Sequence, residues 1–171
     1  MSLLKEKKII VLGSPGSGKS YFSGKLSGLI NYPVFYLDKL YWKENWVGIS
    51  NEELSFKLEK IMAENKCWII DGNYSSTLEM RYAKAELIFY FDLPVEICLR
   101  SHRERLGKKR IDLPDYLEEK EDAEFEQYIK DFPQNEKPKF INMQQKYPEK
   151  KVIIFKQRSE ANKFLEKLNS K

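Results

Sequence analysis

The 171-residue sequence predicts an α/β fold in which a five-stranded parallel sheet lies between two layers of helices. Three observations lead there. Short apolar runs alternate with segments of helical periodicity along the chain. The runs are nearly continuous, not alternating, so both faces of each strand are covered, as in a parallel sheet. The first run enters a glycine-rich loop followed at once by a helix. That loop, Gly13-Ser-Pro-Gly-Ser-Gly-Lys-Ser20, fits G-x-x-x-x-G-K-[ST], the phosphate loop of nucleoside triphosphatases and kinases.

The elements follow in order. Strands are expected at 8–12, 33–37, 67–71, 87–91 and 152–155. The helix after the phosphate loop carries Phe22, Leu26, Leu29 and Ile30 at helical spacing. Ser50 and Glu53 form a capping box before Leu54, Leu58, Ile61 and Met62. Ser76 and Glu79 form another, opening a short helix to about residue 82. Pro94 suits the first position of a helix reaching about residue 106. Ser159 is expected to cap a closing helix striped with Ala161, Phe164, Leu165 and Leu168. Residues 107–150 show no strand pattern. A basic stretch ending at Arg110 gives way to an acidic one from Asp112 to Glu126. Helices at about 118–131 and 139–146, separated by Pro133 and Pro138, complete a lid-like insertion in a single domain spanning 1–171.

Composition narrows the class. At 42% hydrophobic and 33% charged residues the chain is globular, not disordered. No apolar run approaches the ~18 residues of a membrane span, and the N-terminus lacks the pattern of a secretory signal. A cytoplasmic location is expected, with Cys67 and Cys98 as reduced, buried thiols. A single histidine, His102, and no metal-ligand cluster leave Mg²⁺ held through phosphates as the expected metal. A net charge of +4 permits anionic ligands without marking a nucleic-acid binder.

The loop's spelling has a chemical reason. Gly13, Ser14, Pro15, Gly16, Ser17 and Gly18 let successive N–H groups curl around phosphate oxygens, and Tyr21 begins the adjoining helix whose dipole adds to them. Lys19 reaches the β- and γ-phosphates, and the Ser20 hydroxyl binds Mg²⁺. In open α/β sheets ligands lie beyond the carboxyl ends of the strands, so the acids there matter. Asp71 closes a hydrophobic run, as does the second metal-holding acid of phosphate-loop proteins. Asp38 follows the second strand; it is a base or metal partner, or a turn residue. Asp92 reads as a helix-start acid. Arg100 and Arg103 share a helix face and could neutralise transferring phosphate, with Arg105, Lys108, Lys109 and Arg110 following in a closing segment; alternatively Glu96 and Glu104 absorb them in surface ion pairs. Arg81 could grip an anionic acceptor. Tyr41, Trp42 and Trp46 offer stacking faces, or core.

The order of these motifs, Gly13–Ser20, then Leu37-Asp-Lys-Leu-Tyr-Trp42 with Trp46, then Trp68-Ile-Ile-Asp-Gly-Asn-Tyr-Ser-Ser76 with Arg81, then Phe91-Asp-Leu-Pro94, resembles the bacterial DNA topology modulation proteins, relatives of adenylate and shikimate kinases. The resemblance implies a nucleoside-monophosphate-kinase-like fold with a lid within 108–126, an acceptor site after Asp38, and adenine near Gln157, Arg158 and Ser159. One departure is local: Asn73-Tyr74-Ser75 stands where adenylate kinases carry Phe-Pro-Arg, so the usual monophosphate grip is absent or moved to Arg81. The expected activity is ATP- and Mg²⁺-dependent phosphoryl transfer to a small-molecule acceptor by a monomer or small homo-oligomer. The alternative is a regulatory NTP-binding protein that acts on DNA. No Asn-Lys-x-Asp stretch reads guanine, which favours ATP.

Overall fold

The computed structural model describes residues 4–170. The reading of the N-terminus as leaderless rests partly on residues 1–3, which lie outside the described residues. Five strands, β1 (Lys8–Gly13), β2 (Val34–Tyr36), β3 (Trp68–Asp71), β4 (Leu87–Phe91) and β5 (Lys151–Phe155), form one parallel sheet in the order β2-β3-β1-β4-β5. Each lies within one or two residues of its expected position. β1 is central, and Ile9, Ile10 and Val11 are wholly buried.

Successive strand residues point to opposite faces, and the core divides accordingly. Ile9 and Val11 join Phe22, Leu26, Phe89, Phe91, Phe155 and Leu165 on one face. Ile10 and Leu12 join Leu54, Leu58, Trp68, Ile70, Tyr82 and Phe140 on the other. The first face is covered by α1 (Lys19–Ile30) and α8 (Arg158–Asn169), the second by α3 (Asn51–Glu64) and α4 (Ser75–Lys84). Edge-to-face rings, with Phe22 4.9 Å from Phe89 and 5.4 Å from Phe91, pin α1 directly behind the phosphate loop.

Several boundaries differ from expectation for local reasons. Ser50 caps α3, its Oγ accepting the Glu53 amide at 3.1 Å. Ser76 does not cap α4; the helix begins at Ser75 behind Tyr74, whose φ of 38° is left-handed. Pro94 sits at the cap position, one residue before α5 (Val95–Arg105). Gln157, paired with Glu160, caps α8 in place of Ser159. Asp92 does not cap α5; its carboxylate accepts Lys137 Nζ at 2.9 Å. A short α2 (Leu37–Tyr41) and a 3-10 turn (Glu44–Trp46) follow β2, where no helix was expected.

In the insertion, α6 (Ala123–Asn135) starts five residues later than expected, because Asp122 accepts the Glu124 and Phe125 amides. Pro133 is accommodated inside its last turns, and α7 (Lys137–Lys146) takes Pro138 in its first turn. Ile129, Phe132 and Phe140 are buried, with the Phe140 ring stacked 3.8 Å from Tyr90. The helical half of the insertion is thus joined to the core. Residues 106–122, with no regular secondary structure, supply the part that reaches the site. Cys98 is buried and Cys67 half-buried, both as free thiols. Among the described residues no helix is long and apolar enough to cross a membrane.

Candidate functional site

β1 ends at Gly13, and the register pairs Val11 with Asp71 and Gly13 with Phe91. The loop, the Asp71 carboxylate and the end of β4 therefore meet at one edge. Gly16 (φ 78°) and Gly18 (φ 102°) occupy the left-handed region that glycine tolerates. A Cβ at Gly16 would collide with the Cys98 carbonyl, so α5 backs the loop. Gly18 caps α1 without a side-chain hydrogen bond, leaving the helix's first N–H groups free for an anion. From α8, Arg158 straps the loop from outside, donating to Gly16 O at 2.5 Å, Ser17 O at 3.3 Å and Ser101 Oγ at 2.6 Å.

Lys19 Nζ donates to Ser14 O at 3.2 Å. Burial lowers its affinity for a proton, opposed by Asp71 and Asp38. Ser20 Oγ lies 2.7 Å from Asp71 Oδ2 and 2.8 Å from Asp112 Oδ2. A hydroxyl has one proton to donate, so it cannot satisfy both carboxylates. Asp71 Oδ1 is buried without a hydrogen-bond partner. Burial pushes the Asp71 carboxyl up to about 6, against the pull of Lys19 and Ser20. Paired acids around one hydroxyl with an orphaned oxygen form an oxygen donor set suited to Mg²⁺. Among the described residues no preformed group of three or more metal-ligating side chains occurs. The cation would rest on Ser20, Asp71 and Asp112 together with the ligand's own phosphates.

Asp112 lines the candidate site, and the sequence did not single it out. It lay inside an acidic run, and only the apolar flanks Ile111 and Leu113 set it apart. Burial pushes its carboxyl up, but Arg110, hydrogen-bonded to it, holds it below the usual range. Arg110 Nε donates to Asp112 Oδ1 at 2.9 Å and Nη1 to Glu119 Oε2 at 2.9 Å, while Asp38 Oδ2 lies 3.8 Å from Nη2. Glu119 also takes Arg105 through two bonds of 2.9 and 3.0 Å. His102, fully buried, has Nδ1 3.3 Å from Glu119 Oε1; burial lowers its proton affinity.

Asp38 sits in the first turn of α2, and Tyr74 Oη donates to its Oδ1 at 2.6 Å. Burial pushes the Asp38 carboxyl up, opposed by that hydrogen bond. Tyr74 is held by the loop after β3, where Gly72 (φ 135°) makes the turn. Arg81 is completely buried beneath this loop. Its guanidinium donates to Gly72 O at 3.0 Å, to Asn73 O, to Tyr74 O at 3.2 Å and to Thr77 Oγ1 at 3.2 Å. Asn73 bridges to the phosphate loop: its Oδ1 accepts Gly13 N at 3.1 Å and its Nδ2 donates to Gly13 O at 2.8 Å.

The other expected residues divide. Trp42, Trp46 and Tyr21 line the cleft, with Tyr21 62% exposed. Tyr41 packs against Trp42 and Tyr74 beneath the surface. Arg81 faces the loop carbonyls, not the cleft. Arg100 lies outside the cleft lining, 4.0 Å from Glu104, and Arg103 outside it too, bound by Glu126 at 2.6 and 2.7 Å. The buried positions of α5 are Cys98 and His102, so residues 100 and 103 fall on the solvent side. Arg105 and Arg110 of the same basic segment are the ones that line the cleft. The cleft itself has a volume of about 1560 Å³.

No protein-family model matches the chain, and no curated protein matches it in sequence. Solved structures do match. A shikimate kinase from Acinetobacter baumannii in complex with shikimate superposes with a TM-score of 0.60 at 18% identity, over 96% of this chain and 94% of that one. A gluconokinase from Sinorhizobium meliloti gives 0.54 at 13%, over 96% and 90%. A deoxyadenosine kinase from M. mycoides gives 0.50 at 13%, over 95% and 100%. At these identities the likeness establishes the fold, that of the P-loop kinases.

Proposed function

We propose that the chain is an ATP- and Mg²⁺-dependent phosphotransferase acting on the hydroxyl of a small molecule. The observation that carries this reading is the placement of Asp38. It lies in the same cleft as the phosphate loop, near enough for its charge to act on Lys19, and is held by Tyr74 and Arg110. A nucleotide-binding switch would have no use for a half-buried carboxylate with a raised proton affinity at that place.

Bound Mg-ATP would supply the transferable phosphoryl group. The chain's residues do the rest. The loop amides and Lys19 would hold phosphate oxygens, and Ser20, Asp71 and Asp112 would hold the cation. Asp38 orients the acceptor hydroxyl and takes its proton as the new phosphate ester forms. Arg105 and Arg110 offset negative charge on the migrating group. The motif order around Asp38, Asp71 and Asp92 supports a place among the bacterial DNA topology modulation proteins, and the free thiols suit a reducing cytoplasm.

The test is an acceptor screen that follows ADP release, with Lys19→Ala as control. Acceptor-stimulated ADP release, absent in the variant, is the expected result. Slow ATP hydrolysis indifferent to every hydroxyl compound tried would refute the reading.

A further inference from the structure

The acceptor end of the cleft differs in charge from its phosphate end. Six cations line the whole cleft against eight carboxylates. Two of the cations, Lys19 and Arg158, bind phosphate-loop carbonyls. Arg105 and Arg110 are matched by Glu119 and Asp112, both more than nine-tenths buried. Lys25 lies over the Tyr21 ring at 5.6 Å. Lys120 is exposed and flanked in sequence by Glu119 and Glu121.

Apart from Arg110, already paired with Asp112 and Glu119, and Lys19, bound to the phosphate loop, the groups around Asp38 are aromatic or acidic. Trp42 and Trp46 pack edge to face at 5.5 Å, Tyr74 binds Asp38, and Tyr128 stacks on Phe125. Glu136 lines the same cleft, with Lys139 already on it at 2.7 Å. Arg81, on α4 beneath the loop after β3, is buried with its donors on four oxygens. An anionic acceptor would have to compete with Asp112 and Glu119 for Arg110, and would meet the carboxylates of Asp38 and Glu136 in the same cleft. Such like-charge contacts are strongly unfavourable. Aromatic faces, by contrast, receive the apolar side of a ring.

We infer that the acceptor is an uncharged, ring-bearing alcohol, of nucleoside or sugar type, and not a phosphorylated or carboxylated one. The inference rests on the phosphotransferase reading above and deepens it.

Matched pairs test it. A nucleoside against its 5′-monophosphate, and an aldose against its aldonic acid, would be compared by ADP release with Mg-ATP and by calorimetric binding to protein loaded with a non-hydrolysable ATP analogue. For the pair that is turned over, kcat/KM for the uncharged member should exceed that of the anionic member by about tenfold or more. Equal rates, or preference for the anion, would overturn the inference. Glu119→Gln, which removes the charge facing Arg105 and one of the two acids on Arg110, should narrow the ratio several-fold; an unchanged ratio would count against the charge argument. If that variant does not fold, Glu124→Lys on the exposed start of α6 should narrow it likewise. Binding of the uncharged member without turnover would uphold the acceptor class while refuting phosphoryl transfer. No binding by any member would overturn both.

Discussion

Asp38, half-buried, and Asp71, buried, both have their proton affinity raised, yet their substitution should read out differently. Asp38→Asn should lower acceptor-dependent kcat by about 10²–10⁴-fold while leaving ATP affinity unchanged, as steady-state kinetics and calorimetry would show. Asp71 bears on stability as well. Its proton affinity is raised by burial, to a value of about 6, whereas an unfolded aspartate titrates near 3.9. The folded state therefore holds a proton that the unfolded state releases, and native stability falls as pH rises through that window. Without Mg²⁺, Asp71→Asn should lack this decline. Urea unfolding at pH 4.5 and 7.5 should show the variant gaining about 1–3 kcal/mol on the wild type between the two. Lys19, Ser20 and Asp71 were legible in the sequence because one local motif and one strand end specify them. Asp112, Asn73 and Arg158 acquire their roles through contacts spanning 92, 60 and 142 residues. Neither periodicity nor spacing carries such information, and only the family resemblance drew attention to the neighbourhood of Arg158.

At the scale of elements, the loop after β3 and the segment 106–122 are held by opposite means. The loop depends on one cation bound to carbonyls. Arg81→Met should leave Gly72, Asn73 and Tyr74 carbonyls unsatisfied and cost about 3 kcal/mol or more. It should also impair turnover, because Tyr74 loses its support; chemical denaturation and kcat measured on the same samples would check both. The segment 106–122 depends on one anion. Glu119 gathers Arg105 and Arg110, so Glu119→Gln should speed proteolytic cleavage within it while leaving the sheet intact. Strand positions and the α3 cap were readable because apolar runs and Ser50–Glu53 act locally. The start of α4 was not. Arg81 and the Tyr74–Asp38 bond fix the entering backbone, and this tertiary demand overrode the Ser76 capping signal.

For the whole molecule, the parallel order β2-β3-β1-β4-β5 was foreshadowed by continuous apolar strands, though the order itself came only with the structure. It puts the loop after β1 between the ends of β3 and β4, so a nucleotide's phosphates would rest on the central strands. Mg-ATP at about 100-fold over its Kd should therefore protect the entire fold by about 2.7 kcal/mol. That corresponds to a rise in Tm of about 5–10 °C for a chain of this size, abolished by Lys19→Ala. One small bridge has a wider consequence. The Asn73 amide grips both backbone groups of Gly13, so the turn that presents Tyr74 to one ligand is continuous with the turn that cradles the other. Whatever free energy one occupant invests in ordering that junction is returned to the second. Affinities for nucleotide and acceptor should then rise together, by the same factor in either order of addition. In Asn73→Ala the two occupants should bind as strangers.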